Sequence, residues 1–355
     1  MPDTRPNVSI IIATYNRRPF LREALFSLSR LDFPKDRYEI VVVDDGSTDG
    51  TEALLAAIGS SFPLPLRYIR REDHKGPSAA RNAGIRVAEG DFLVFTDDDC
   101  LFEREWMTKL LAPLDSPAVG MVGGPDRSPE GSPFFETCED YLMTSFVGTG
   151  GLRRGNKLRL GVYYPKSCNM AIRRDVIAHV GVFDENLLPG EDIELSYRVK
   201  KAGYVIKFAP DAFVWHKRKH NLTVLLRKIY RIGYGRVVLA RKHRGLLDIA
   251  HMIPFLWVLA LLLLGALSFF SSDALRALTF ALVGYVVIVI TGGVQAFYRM
   301  KDVRALLIVP FLIALQHTAH GLGFLVGAID WATGSGARGP SGRPEGSGAV
   351  ERGSV

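Results

Sequence analysis

Two clusters of carboxylates carry the first sign of chemistry. Asp44-Asp45-Gly46-Ser47 follows one apolar run, Ile40–Val43, and Asp97-Asp98-Asp99 follows another, Phe92–Phe95. A carboxylate at a strand end can accept hydrogen bonds from ribose hydroxyls or from the edge of a base. Two carboxylates spaced Asp-x-Asp can share a hard divalent cation that also holds a diphosphate. Taken alone, Asp44–Ser47 describes a helix cap and turn equally well. Three consecutive aspartates repel one another and need a cation or open solvent. A third acidic pair, Glu191-Asp192, opens a helical stretch that runs to Ala202, with Lys200 and Lys201 in its last turn and Gly203 as its stop. Adjacent residues on a helix point about 100° apart, so only one of the two faces a substrate squarely.

The elements that hold these clusters read as a repeated strand–helix alternation. The apolar runs are Val8–Ala13, Ile40–Val43, Leu66–Ile69, Phe92–Phe95 and Val119–Val122. Runs apolar at successive positions suit strands covered on both faces. The stretches Phe20–Leu31, Thr48–Ile58, Ser78–Ala88 and Glu103–Leu114 between them are helical in pattern. This predicts an α/β doubly wound sheet, in which ligands bind at the carboxyl ends of the strands. Residues 125–190 are less regular. Two short strands, Val205–Phe208 and Ala212–Trp215, are expected after the acidic helix.

The segments resemble glycosyltransferase family 2 in the family's order. They are Ala13-Thr14-Tyr15-Asn16-Arg17, Val43-Asp44-Asp45-Gly46-Ser47-Thr48-Asp49, Gly76-Pro77-Ser78-Ala79-Ala80-Arg81-Asn82-Ala83-Gly84, Phe95-Thr96-Asp97-Asp98-Asp99, Gly190-Glu191-Asp192 and Val214-Trp215-His216. The resemblance covers about Val8 to His216 and extends loosely into the C-terminal part. It implies a GT-A fold, a mixed doubly wound sheet that binds a nucleotide-sugar donor. It also implies roles. Thr14, Tyr15 and Arg17 line the nucleotide pocket, and Asp45 faces the base or ribose with Asp44 beside it. Arg81 and Asn82 approach the donor. Asp97 and Asp99, the outer members of the Asp-x-Asp motif, hold Mg²⁺ or Mn²⁺, with His216 as a further metal or phosphate contact. Asp98 and Glu191 join the substrate-binding set. Asp192 is the base that takes the acceptor proton in an inverting transfer, although Glu191, Asp192 and Glu194 also suit a plain helix-dipole role. Cys168-Asn169-Met170-Ala171 and Gly181-Val182-Phe183-Asp184-Glu185 resemble the family's acceptor-side region and suit a structural role equally well.

Composition separates the C-terminal part from the rest. Of 355 residues, 48% are hydrophobic and the mean hydropathy is +0.12, with the excess beyond residue 248. The net charge is +7, yet Ala212–Leu247 holds ten Lys or Arg and no acid, which leaves −3 for the remainder. Thr223–Arg244 reads as a basic amphipathic helix at a membrane surface. The apolar runs Ile249–Phe270, Ala274–Phe297 and Ala305–Ile329 each reach the roughly 20 residues a bilayer crossing needs. The basic loop Arg299–Arg304 assigns the catalytic domain to the cytoplasmic side. Gln316, His317 and His320 lie at mid-span, as functional groups or as hydrogen-bonding partners of the other spans. The expected organisation is a cytosolic catalytic domain over 1–220, an interface helix over 221–248, three transmembrane helices over 249–330 and a disordered tail over 331–355. Cys100, Cys138 and Cys168 fit neither a disulfide framework nor a zinc knuckle. Met1–Asn7 lacks the apolar core of an export signal.

The sequence therefore predicts a metal-dependent transferase of the plasma membrane. By the resemblance it moves a hexose from a nucleotide diphosphate sugar, UDP-linked first by family habit and GDP-mannose second, to a lipid-linked or polysaccharide-precursor acceptor, or to a polyprenyl phosphate, among membrane lipids. No nucleic-acid motif accompanies the basic block. A nucleotidyltransferase would carry a Gly-rich phosphate loop after the first strand, and Ala13–Arg18 is not one. A transporter or scaffold with a degenerate catalytic domain fits less well, because three spans are few for a pore and all the carboxylates are present. Arg231-Ile232-Gly233-Tyr234-Gly235-Arg236 is not the Gln-x-x-Arg-Trp box of processive synthases.

Overall fold

The computed structural model describes residues 7–59, 62–151, 162–187, 189–218, 221–247 and 249–334. The expectations for the N-terminal residues 1–6 and for the tail beyond 334 lie outside the described residues. In chain order the elements are β1 (Val8–Thr14), α1 (Arg18–Leu28), β2 (Tyr38–Asp44), α2 (Thr51–Gly59), β3 (Leu66–Arg70), α3 (Pro77–Val87), β4 (Phe92–Asp97), β5 (Cys100–Phe102), α4 (Trp106–Leu111), β6 (Val119–Gly123) and β7 (Asp126–Arg127). Next come α5 (Phe134–Thr144), α6 (Phe146–Thr149), β8 (Asn169–Arg173), α7 (Arg174–Val180), α8 (Glu191–Lys201), β9 (Val205–Phe208) and β10 (Val214–His216). The chain continues into α9 (Leu222–Lys242), α10 (Ile249–Leu267), α11 (Ser272–Met300) and α12 (Ala305–Thr333).

The main sheet has the order β3-β2-β1-β4-β8-β6-β9, and a second sheet has the order β5-β10-β7. β1 pairs in parallel with β2 and with β4, and β2 with β3. β8 runs antiparallel between β4 and β6, which makes the sheet mixed. The residues read as irregular thus contain β7, α5, α6, β8 and α7. β8 was missed because Cys168–Ala171 is a short run between loops.

The apolar runs are buried on both faces, as both-face coverage requires. Ile10, Ile12, Leu21, Leu25, Val94 and Trp106 form one cluster, and Ile11, Val41, Phe95, Met170 and Leu195 form the other. Each such side chain contributes about 1.5–3 kcal/mol by leaving water. A third cluster joins Cys138, Tyr141 and Leu142 of α5 to Leu225 and Ile229 of α9 and to Val289, Val309 and Ile313 of α11 and α12. The C-terminal helices therefore share a core with the α/β domain. Arg299, near the end of α11, donates to Asp140 (2.8 Å) and Thr144 (3.0 Å) of α5.

α11 and α12, 29 residues each, are long and apolar enough to cross a membrane. The first expected span, Ile249–Phe270, is the 19-residue helix α10, which ends three residues earlier, at Leu267. One face of α9 packs on α12 instead of facing headgroups alone. A Cβ on Gly233 would lie 2.1 Å from the His320 carbonyl oxygen, and one on Gly323 would lie 2.1 Å from that of Tyr230. Only glycine permits this backbone approach.

Candidate active site

β1, β2 and β4 end side by side, and the strand order reverses between β1 and β4. That crevice is where open α/β sheets bind ligands. After β1, Asn16 takes a left-handed conformation (φ 52°), which its short polar side chain tolerates. Its N–H donates to Ser47 Oγ (2.8 Å), and its Oδ1 accepts from the Thr48 N–H (2.7 Å), which ties the β1 and β2 loops together. Asp44 is buried and braces the same loop. Its two oxygens accept from the Ser47 N–H (2.7 Å) and the Tyr68 hydroxyl (3.0 Å).

Asp45 points instead toward the loop before α3. Its Oδ2 accepts from the Gly76 N–H at 2.7 Å and lies 3.1 Å from His74 Nδ1. The ring of Tyr15 stacks on His74, centroids 3.8 Å apart. A carboxylate beneath an aromatic pair suits a nucleoside, which offers a flat base to stack on and hydroxyls to donate. Burial raises the pKa of Asp45 against the pull of the Gly76 N–H, Arg71 and His74.

Asp97 ends β4, and Asp98 and Asp99 form the turn into β5. Asp98 accepts from Thr14 Oγ1 (2.7 Å) and from Arg17 Nη1 (3.1 Å). Arg17 Nη1 also donates to Asp99 Oδ2 at 2.8 Å. Burial pushes Asp98 up to about 7, with Arg17 opposing. β10 explains how His216 arrives from far along the chain. It pairs antiparallel with β5 in a register that sets His216 opposite Cys100. His216 Nε2 then lies 3.0 Å from Asp99 Oδ1, and Nδ1 lies 3.7 Å from Asp126 Oδ2. Burial favours the uncharged imidazole, but Asp99 and Asp126 outweigh it and carry the His216 pKa well above its ordinary value. Burial likewise works against the Asp99 carboxylate, and His216 and Arg17 hold it below the usual range.

Asp97 turns away from this pair. Arg81, itself buried, donates from Nη2 to Asp97 (2.9 Å) and from Nη1 to Glu191 Oε1 (3.2 Å). One guanidinium thus joins the end of β4 to the start of α8. Asn82 faces the segment leading into α8. Its Nδ2 donates to the Phe183 carbonyl and Glu185, both at 2.9 Å, and its Oδ1 accepts from the Phe183 N–H at 3.0 Å. Gly190, at φ 116°, begins α8 where a Cβ would meet Leu239 at 2.8 Å. Burial and the neighbouring Asp192 push Glu191 up to about 7, with Arg81 opposing. Asp192 is half-buried, and its Oδ1 accepts from the Ile193 N–H at 2.8 Å.

Several residues at the site carried no sequence signal. Asp126 pairs with Lys166 and with Arg218, and Arg218 also reaches Asp140 (3.4 Å). Arg218 looked like part of a solvated basic run. His74, next to Asp45, stands outside every motif. Among the described residues, two groups bring ligand atoms within 4.8 Å of one another: Asp99, Cys100 and His216, and Asp126, Cys168 and His216. All three cysteines are buried free thiols, in line with the expectation of reduced cysteines.

A cavity of about 1440 Å³ starts at Asp97, Glu191, Asp192 and His216 and continues to Trp257 and Tyr285 on the apolar helices. Gln316 and His317 have structural work beside it. Gln316 Nε2 donates to the Gly148 carbonyl (2.6 Å), while His317 lies 2.9 Å from the Val147 carbonyl and 3.0 Å from the Tyr285 hydroxyl.

Comparison with known proteins agrees with this geometry. The family model Glycosyl transferase family 2 matches residues 9–181. Glycosyltransferase AglE of Haloferax volcanii is 30% identical over 239 residues, 67% of this chain and 75% of that protein. Succinoglycan biosynthesis protein ExoM of Rhizobium meliloti is 30% identical over 257 residues, 69% of this chain and 79% of that protein. Among solved structures, the mannosyltransferase PcManGT of Pyrobaculum calidifontis, determined with GDP-Man and Mn²⁺, aligns with a TM-score of 0.60. It is 20% identical, over 93% of this chain and 88% of that one. That likeness speaks for the GT-A fold, and the sequence relatives speak for the activity. With its strand-end aspartates gathered at the switch point of a GT-A sheet, the chain belongs to glycosyltransferase family 2.

Proposed function

We propose that this glycosyltransferase moves a hexose from a nucleotide diphosphate sugar to a lipid-linked acceptor at the cytoplasmic face of the plasma membrane, with inversion at the anomeric carbon. The observation that carries the reading is a continuous cavity that joins Asp97 and Asp192 to the apolar helices. An acceptor with a lipid tail can lie along that cavity while its sugar meets the strand ends. UDP-hexoses and GDP-mannose are the donors to test, the second because PcManGT was solved with GDP-Man.

The residues present fit a divalent cation. Asp99 Oδ1 is buried, and His216 Nε2 lies 3.0 Å from it. Adjacent ligands of an octahedral Mg²⁺ with bonds of about 2.1 Å stand about 3 Å apart. Asp99 and His216, with Asp97 released from Arg81, would hold Mg²⁺ or Mn²⁺. The cation would neutralise charge on the departing diphosphate. Thr14, Arg17 and Asp98 hold the donor side, and Tyr15 and Asp45 receive the nucleoside. Asp192 takes the proton of the acceptor hydroxyl as its oxygen bonds to the anomeric carbon and the bond to the nucleotide breaks.

Asp192→Asn tests this. It keeps size and hydrogen bonding but removes the proton acceptor, so transfer falls by about 10²–10⁴-fold while donor and metal affinity hold. Near wild-type transfer, or loss of donor binding in proportion to activity, overturns the assignment. Label that never enters an organic-phase lipid from a membrane extract overturns the acceptor.

A further inference from the structure

We propose that Arg231 and Arg236 of α9, with His251 and His320 of the same cavity, bind the phosphate or diphosphate of a polyprenyl carrier. The inference rests on the lipid-linked acceptor reading and assigns the part of the acceptor that the sugar-transfer residues leave unexplained.

The cavity changes character along its length. Among the described residues, the carboxylates that line it are Asp97, Asp126, Glu191 and Asp192, all from the α/β domain. The helices α9–α12 contribute lining cations, Lys228, Arg231 and Arg236, and no described acid. The α/β domain also lines it with Lys166 and Arg218, both paired with Asp126, and α10 and α11 add an aromatic and aliphatic wall with Trp257, Phe280, Tyr285 and Ile288. A ligand matched to that order is polar and hydroxylic at one end, anionic in the middle and hydrocarbon at the other. A saccharide joined through phosphate to an isoprenoid has that order.

Two further observations place the anion here. Both ring nitrogens of His251 and Nδ1 of His320 are buried without hydrogen-bond partners. Such groups are expensive to bury unless something bonds them, and phosphate oxygens do. The backbone crossing at Gly233 and His320 fixes the distance between α9 and α12, and Arg236, three residues on along nearly the same face, lies close enough to His251 and His320 to act on both, while Arg231 lines the same cavity from another side of α9. Guanidinium groups suit phosphate because they donate in a bidentate fork. A donor diphosphate belongs instead at the strand ends, beside Arg17 and the Asp99–His216 pair.

The test uses full-length protein in detergent with farnesyl diphosphate as the probe, read by fluorescence of Trp257 in the cavity wall. Farnesol, inorganic diphosphate and phosphatidylglycerol micelles serve as comparison ligands. Arg231→Gln and Arg236→Gln should each weaken farnesyl diphosphate binding about tenfold to hundredfold, the range for a lost charge-assisted hydrogen bond. Arg→Lys at each position should lie between wild type and Gln, which excludes simple misfolding. Farnesol binding and donor affinity in Mn²⁺ should not move. Unchanged farnesyl diphosphate affinity in both Gln variants overturns the site. So does donor affinity that falls in parallel, which assigns the patch to the nucleotide. Competition by phosphatidylglycerol as strong as by the probe reduces it to a headgroup surface and overturns it too. If labelled sugar enters membrane lipid with wild-type acceptor KM in both Gln variants, the lipid acceptor stands and this site falls. If label never enters lipid with wild-type protein, the acceptor reading itself falls.

Discussion

Glu194 offers the sharpest test of how the C-terminal helices hold α8, the helix of the proposed base. It lies one turn into α8, behind Asp192, and is fully buried. Its Oε2 accepts from Arg198 at 2.9 Å, and its Oε1 lies 2.9 Å from both Lys242 Nζ and His243 Nε2, in and just after the last turn of α9. Lys242 reaches Asp184 as well. One carboxylate thus clamps α9 to α8, the helix that carries the proposed base Asp192. Breaking a buried ion pair costs about 3–5 kcal/mol where the orphaned partner stays buried. Here Arg198, Lys242 and His243 keep 20–37% of their surface and can rehydrate. Glu194→Gln should therefore cost less, about 2–3 kcal/mol, or about 4–12 °C in Tm for a domain of this size. The sign with pH follows from Glu194 itself. Burial works against its charge, but Arg198, His243 and Lys242 outweigh it and hold its pKa below the ordinary value. Its contribution is therefore present above the unfolded carboxylate pKa of about 4.3 and is lost as pH falls through the lower folded value. Thermal unfolding in detergent, at one scan rate, should show the full gap between wild type and variant at pH 7.5. The gap should narrow steadily below about pH 4. Transfer should lose kcat while donor KM holds, because α8 is displaced and the nucleotide pocket is not. A gap under about 1 °C at pH 7.5, or one that persists undiminished in acid, would refute the clamp.

Three other outcomes follow from the same structure. Asp99→Asn should weaken Mn²⁺-dependent donor binding by at least about tenfold, one charge-assisted contact, with the fold intact by circular dichroism. Equal metal titrations for wild type and variant, by calorimetry with UDP-hexose and GDP-mannose, would count against an Asp99–His216 cation site. Gly233→Ala inserts a Cβ 2.1 Å from the His320 carbonyl oxygen and must push α9 off α12. It should cost about 1–3 kcal/mol by overpacking, visible as a lower melting midpoint, whereas Gly284→Ala, where nothing lies within 4 Å, should be silent. Cysteine labelling at Val303 should report a cytoplasmic loop, on the same side as the catalytic domain, since Arg299 is bonded to Asp140 of α5. Labelling only from outside would invert the proposed orientation.

What could be read from the sequence divides along a physical line. β1, β2 and β4 were legible because strands covered on both faces must be apolar at successive positions, and their acidic ends stand out against that background. The partners Asp97–Glu191, through Arg81, and Asp99–His216 were reachable only by family resemblance, because no local pattern says which distant residue a strand end will meet. The register of β5 against β10 decides that, and β5 is three residues long. Asp126 and Arg218 were hidden for a related reason. A buried ion pair looks, in a sequence, like two charges on a surface, and only burial separates them. Asp44 shows the limit from the other side. Its motif marks it as part of the site, yet both its oxygens are occupied in bracing the loop that aims Asp45. A motif therefore records the residues that a site needs without saying whether each one touches the ligand or holds the one that does. Asp44→Asn separates the two roles. It spares one of the two accepting oxygens, turns the other into a donor and removes the charge, so a bracing Asp44 predicts lost stability with donor affinity largely kept. Donor binding lost from a protein that melts like wild type would instead put Asp44 on the nucleotide.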